Sequence, residues 1–334
     1  MLKKFIKKIT NFPWKKIKPL KGILFFIKSW GHIITIIICG IIFFYYPVGG
    51  WLIHNIDIRI NEETKISQGK HFITIKAISN LVNQEVNEKL WTPNLPFFFP
   101  SYFLDNMPNF QQGTIKAASV LTSSLNRIMP HPTNIRDKQQ GSPLNIANEM
   151  LKYPGSVWLF SEQNNLIPAP SSTKQYRRAV RQLNKYNQGL ESSIIKYHPQ
   201  KKDLIFILKK IKNNLKISSK ELEKQIREYS TSWIDNQADN VFYYNLGKTY
   251  GFYIGLKSLG KDYQDIIVSQ KQYEQWTGLL HALEEGLEIK PLIVRNGELD
   301  SLFSPNHLAY LNYYIQKAQI IIIQISQQLS QSKE

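Results

Sequence analysis

"IITIIICGIIFFYYPVGGW", residues 33–51, is the stretch on which the reading of the whole chain turns. It lies within a longer interval, Ser29 to Ile56, that contains no Asp, Glu, Lys or Arg. A helix needs about 20 mostly apolar residues to cross about 30 Å of hydrocarbon. Ser29–Trp51 meets that length. Trp30 stands at one end and Tyr45, Tyr46 and Trp51 at the other, where amphipathic rings favour the membrane interface. Pro47 and the Gly49-Gly50 pair predict the exit from the helix. A cleavable signal peptide is the rival reading. Against it, the apolar run exceeds the usual 7–15 residues or so, and no small-x-small cleavage site follows.

Working outward, the flank before the run carries Lys3, Lys4, Lys7, Lys8, Lys15, Lys16, Lys18, Lys21 and Lys28, and the flank after it opens with Asp57. The positive-inside rule places residues 1–28 in the cytoplasm, 29–51 across the membrane and the remainder outside. In a Gram-negative bacterium that remainder is periplasmic. The expected address is therefore the inner membrane, single-pass, with the lipid bilayer as the first partner. Leu2, Phe5, Ile6 and Ile9 fall at helical spacing among the leader lysines. That suits a short basic amphipathic helix on anionic headgroups, or a charge cluster that only sets topology.

The formal charge of +17 invites a nucleic-acid reading. However, nine of the lysines sit in the leader, which has no acid, and the chain holds 34 Lys against 8 Arg. Arg is the residue suited to planar recognition of phosphates and bases. A cytoplasmic nucleic-acid-associated role therefore ranks last, and no nucleic-acid partner is expected. Cys39 is the single cysteine, which excludes an intramolecular disulfide and a thiolate zinc site.

Residues 52–68 read as an extended tether. Beyond them the apolar spacing is helical almost throughout. Helices are expected over 69–90, 110–129, from Ser142-Pro143, over 173–197 and over 201–216, with another opening at a Ser218/Glu221 capping box. Three more are expected over 238–259, 262–288 and 305–331, the last capped at Ser304-Pro305. Strand signals are short ("SVWLF", "PLIV"). The class is all-α: an N-terminal transmembrane helix followed by a soluble bundle of about seven to eight helices over 69–331.

Catalytic patterns are sparse. "SSTK", Ser171–Lys174, matches SxxK, but the partner motifs of that chemistry are missing and Ser172 serves as a helix cap. His281 and Glu285 are four apart on a helix, which suits a structural contact better than a metal. No cofactor or metal is expected. Gly247, Gly251 and Gly255 form one smooth helical stripe, suited to close core packing or to self-association. The stretch "FFFPSYFLDNMPNFQQG", residues 97–113, crowds aromatics around Asp105. Its candidate functional residues are Phe97, Phe98, Phe99, Phe103, Asp105, Asn106 and Asn109. Pro93, Pro96 and Pro100 prevent a regular helix before Asp105. Asn109 with Gln112 fits a capping box, so Asp105-Asn106 reads as a turn. The aromatics then pack onto the bundle first, dock on membrane or partner second, and frame a catalytic Asp105 third.

Several motifs together carry a resemblance: "YYPVGG", "LVNQEVN…WTPNLPFFFPSYFLDNMPNFQQG", "VFYYNLGKTYG" and "NG…SLFSPNHLAYL". From roughly residue 45 onward the chain resembles the bacterial domain-of-unknown-function 2333 family. The resemblance implies a single-span inner-membrane protein with a soluble region of unassigned activity, and supplies no catalytic residue, cofactor or substrate. The leading expectation is a structural or interaction role in the envelope, with an envelope protein or a second copy as partner. The alternative is a hydrolase-like envelope enzyme using Asp105 with His307.

Overall fold

The computed structural model describes residues 18–54, 56–58, 72–103, 105–131, 141–161, 164–229, 237–291, 293–298 and 305–331. Among these, the side chains of 18–30, Ser101, Phe103, 160–161, 164–167 and Tyr229 are not described. The residues before 18, most of the expected tether (59–68) and Ser304 lie outside the described residues.

The chain divides at Leu52–Ile53 into two compact units. The first holds helix α1, Lys18–Ile53. Its segment Gly31–Ile53 has a mean hydropathy of 2.1 and is 6% buried. The helix runs through Pro47 and the Gly49-Gly50 pair and ends two residues beyond the expected Trp51. Pro47 removes one intrahelical N–H, yet neighbouring turns carry the helix on to Ile53.

Among the described residues the second unit is all-α but for one small hairpin and an isolated bridge between Asn296 and Asn306. Its helices are α2 (Ile73–Asn83), α3 (Asn106–Ile128), α4 (Pro143–Leu151), α5 (Ser172–Glu191), α6 (Lys201–Tyr229), α7 (Ala238–Asp262), α8 (Gln264–Ser269), α9 (Tyr273–Leu287) and α10 (His307–Gln331). A π-turn, Gln84–Glu88, continues α2. The hairpin pairs β1 (Phe160–Ser161) with β2 (Asn164–Pro168) antiparallel, so "SVWLF" enters a strand. This unit holds nine helices among the described residues, close to the seven to eight or so expected.

Four boundaries differ from expectation, each for a local reason. The break expected at Ser218 is absent: α6 has no Gly or Pro, and Ser218 and Ser219 lie on the buried stripe that runs from Leu204 through Leu215 to Leu222. Helix 262–288 is instead split, because the chain turns through Lys271 with φ 54°. α5 ends at Glu191, where Ser193 takes φ 57° and the Ile195 N–H returns to the Gly189 carbonyl at 2.9 Å. The Ser304-Pro305 cap is replaced by Asn306, whose side-chain oxygen accepts from the Ala309 N–H at 2.9 Å.

The centre of the domain is the pairing of α3 with α7, which share the largest interface. Their backbones approach closely because glycine lines both sides. A Cβ placed on Gly247 would overlap the Phe110 carbonyl oxygen, and one on Gly113 would overlap the Tyr244 carbonyl oxygen. Gly251 faces the Ala117 methyl, and Gly255 faces Leu121. The stripe is therefore covered from within the chain and offers no surface to a second copy. Thr114 crosses the seam, donating to the Phe110 carbonyl at 3.0 Å and to the Gly247 carbonyl at 3.4 Å. Around this pair pack α2, α4, α6 and α9, with α5 on α4 and α2, and α10 on α6 and α9. Asp262, at the end of α7, accepts from the Ile73 N–H, the Thr74 N–H and the Thr74 hydroxyl, which caps the start of α2 from outside.

The glycine seam gives a sign test. In an open helix, Gly→Ala gains about 1 kcal/mol of helix propensity. At Gly247 the new methyl meets backbone that cannot rotate away, so Gly247→Ala is expected to destabilise by about 1–3 kcal/mol. Gly278, with nothing within 4 Å of its would-be Cβ, is expected to gain up to about 1 kcal/mol. Chemical unfolding of the full-length protein in detergent checks both signs.

Candidate functional site

The segment between α2 and α3 has a buried root and an exposed tip. At the root, the Trp91 indole N–H donates to the Gly155 carbonyl at 3.0 Å. The backbone N–H and hydroxyl of Thr92 both donate to Gln111 Oε1, at 2.9 and 2.8 Å. Asn94 donates to the Val157 carbonyl at 3.0 Å. The tip turns at Pro96–Phe99 and continues as a 3-10 turn, Pro100–Phe103. Here the first expectation is corrected for two rings: Phe97 is 68% exposed and Phe98 47%. Phe99 is half-buried against Phe98, with ring centroids 5.3 Å apart. The Phe103 side chain lies outside the described residues. The prolines and the root hydrogen bonds hold the loop without needing its tip to be buried.

Asp105 is the N-cap of α3, accepting from the Asn106 N–H at 3.0 Å. The helix thus starts three residues before the expected Asn109 cap. Asn109 already lies inside it, donating from its side chain to the Asp105 carbonyl at 2.8 Å and to Asn240 Oδ1 at 2.6 Å. This second bond ties the first turn of α3 to that of α7. Asp239, in the same turn of α7, accepts from the Asn240 N–H at 2.9 Å. Burial pushes the Asp239 carboxyl above the usual carboxylate range, and the nearby Asp105 charge adds to the shift. One acid thus caps α3 and the other sits in the first turn of α7, where the helix dipoles favour negative charge.

Beside them lies a shallow cleft of about 190 Å³ lined by Asn109, Glu221, Asn240, Val241, Tyr244 and Asn245. Near it Lys248 is almost fully buried, with its ammonium 3.4 Å from Glu221 Oε2 and 5.3 Å from the centre of the Tyr244 ring. Burial pulls the Lys248 pKa down, and Glu221 opposes that shift. Nothing in the spacing of residues singles out Glu221, Asn240 or Asn245. Lys248 does carry a signal, since it stands between Gly247 and Gly251 on the stripe that must be buried.

A second buried ion pair holds the start of the domain. Glu85, in the π-turn, is fully buried and pairs with Lys89 at 3.0 Å. Burial raises the Glu85 pKa and Lys89 opposes the shift. The same ammonium reaches the Asp57 carbonyl at 3.4 Å. Ile56 and Ile58 pack on the core. Residues 56–58, which fall in the expected extended tether, are thus fastened to the domain.

His307 stands apart from Asp105. Its ring Nδ1 accepts from the Arg295 backbone N–H at 3.0 Å, and its backbone N–H donates to the Arg295 carbonyl at 3.0 Å. Partial burial lowers its pKa. Next to it, Asn306 donates to Asn296 Oδ1 at 2.9 Å, and Asn296 donates to the Gln225 carbonyl at 3.1 Å. These residues fasten the start of α10 to α6. Among the described residues no hydrogen bond or ion pair joins Asp105 to His307, the pair on which the hydrolase alternative draws. His281 and Glu285 form an exposed contact of 3.3 Å. No group of three or more His, Cys, Asp or Glu suited to a metal occurs among the described residues. Ser171 caps α5 by accepting from the Lys174 N–H at 3.3 Å, in place of the expected Ser172. Ser172 is buried and donates to the Pro154 carbonyl at 2.7 Å.

Residues 200–332 match a family described as an uncharacterized protein conserved in bacteria, DUF2333. The match covers α6 to α10, including Glu221, Lys248, the glycine stripe and the Asn296–Asn306 clamp. "LDNMPN" and the aromatic loop, on which the resemblance also drew, fall outside it. No curated protein and no solved structure is significantly similar to the chain.

The cleft predicts an asymmetry. Removing the counter-charge strands a buried ammonium, whereas removing the ammonium leaves a carboxylate that is 40% exposed and can turn to water. Glu221→Gln should therefore lower the unfolding temperature more than Lys248→Met, which should be close to neutral. Thermal unfolding of the two variants beside the parent protein measures the difference.

Proposed function

We propose that this is a single-span protein of the bacterial inner membrane. Its N-terminus lies in the cytoplasm, and the helical domain beyond residue 53 lies in the periplasm, with a structural or interaction role in the envelope. The observation that carries this reading is the segment Gly31–Ile53, apolar and 6% buried. A helix that served as the core of a soluble domain would be covered. This one instead exposes Ile36, Ile41, Phe43 and Phe44, each by more than half. A helix that is apolar all round and uncovered by protein requires lipid to cover it. The nine lysines before it set the orientation through the positive-inside rule.

Support for an interaction role comes from how the buried charges are used. Glu85 with Lys89 and Lys248 with Glu221 join or brace helices, as does the Asp262 cap. Their chemistry is spent on rigidity, which suits a domain that presents surfaces.

Alkaline phosphatase fused at the C-terminus, which is active only outside the cytoplasm, tests the orientation. The expected result is high activity in a membrane-bound product of the full 38.9 kDa plus the reporter. Activity of a fluorescent reporter that works only in the cytoplasm would overturn the topology. Loss of an N-terminal tag from an otherwise active, soluble product would replace the anchor with a cleaved signal peptide.

A further inference from the structure

The exposed rings at the tip of the 96–103 loop do not stand alone. Trp158 and Leu159, from the segment leading into β1, are 41% and 46% exposed. Phe98 meets the Trp158 indole edge-on, with ring centroids 5.9 Å apart. Phe97 packs on Phe98 at 5.6 Å, and Tyr102 is 55% exposed. Two separate segments thus form one aromatic patch open to the surroundings. The patch is also held rigidly, because Trp91 and Asn94 are buried and fix both segments to each other through the Gly155 and Val157 carbonyls. Such a patch needs little ordering when it docks.

The place where the chain enters the domain says what the patch meets. His54 follows α1 directly, and the Asp105 carboxylate lies close enough to act on its imidazole. Asp105 follows Tyr102 by three residues, so their Cα atoms are at most about 11 Å apart. Asp57 is fastened to Lys89, at the head of the segment that leads into the loop. The aromatic patch and the residues through which the chain enters the domain, His54 and Asp57, therefore belong to the same end of the domain.

We propose that Phe97, Phe98, Tyr102, Trp158 and Leu159 form a second membrane contact, seated in the headgroup region of the leaflet from which α1 emerges. Trp and Tyr combine an apolar body with a polar tip and favour that depth, and Phe adds apolar area below it. Contiguous exposed apolar patches are rare on soluble surfaces. Attachment through α1 keeps the patch at a high effective concentration against the bilayer, so a weak contact suffices to fix the orientation of the domain. The inference rests on the single-span reading above.

The test uses full-length protein in vesicles of phosphatidylethanolamine and phosphatidylglycerol that contain a headgroup-nitroxide lipid. An environment-sensitive fluorophore is placed on Tyr102→Cys in a Cys39→Ser background, on Tyr310→Cys in the same background, and on the native Cys39. Tyr310 is an exposed ring of α10 outside the patch. The expected result is blue-shifted emission at position 102 and quenching there several-fold stronger than at position 310. If the Cys39 label is shielded from water by lipid but position 102 shows no blue shift, or no more quenching than 310, the docking is wrong and the anchor stands. If the Cys39 label is fully exposed to water, the single-span reading falls and the docking falls with it.

Discussion

The backbone-to-backbone contact of α3 with α7 is the constraint on which the rest of the domain depends. Gly113 and Gly247 each face a carbonyl oxygen of the opposite helix, and Gly251 and Gly255 continue the seam. Glycine inside a helix costs about 1 kcal/mol relative to alanine. The sequence places three of them four residues apart, a cost offset only where close approach yields packing that larger residues would prevent. Once the two helices lie this close, Phe110 stacks on Tyr250 with centroids 5.9 Å apart, and Asn109 reaches Asn240. The aligned N-termini then set Asp105 beside Asp239.

From that seam outward, polar contacts bind the other helices in turn. Asp262 caps α2 from the far end of α7. Lys248 joins α7 to α6 through Glu221, and Asn296 with Asn306 joins the start of α10 to α6. Buried hydrogen bonds and ion pairs of this kind specify one arrangement among many that would bury a similar apolar area. The same frame holds the loop that carries the aromatic rings and the segment that carries Trp158 within one domain, to which residues 56–58 are also fastened.

Much of this was legible from the residues alone. The uncharged run at 29–56, the helical spacing of the apolar residues and the glycine stripe each follow from a local rule, and the structure contains a helix or a seam where each points. What local rules miss is long-range. Ser218 resembles a helix start because Ser and Glu stand three apart, yet its place on a buried stripe of α6 overrides the pattern. Asn109 looks like a cap by spacing, but Asp105 takes that role and frees Asn109 to bridge to Asn240. The exposure of Phe97 and Phe98 could not be read either, since a proline-rich aromatic run has the same composition whether it is covered or open. The cleft depends on residues as far apart as Asn109 and Tyr244, which only the fold brings together.

Native-state hydrogen exchange on the full-length protein in lipid nanodiscs tests the central claim most directly, because it reports the opening free energy of each helix separately. If the glycine seam organises the domain, the slowest amides lie in Asn106–Ile128 and Ala238–Asp262, and they open together in the global transition. The opposite order, with these two helices exchanging before α6 and α10, would contradict it.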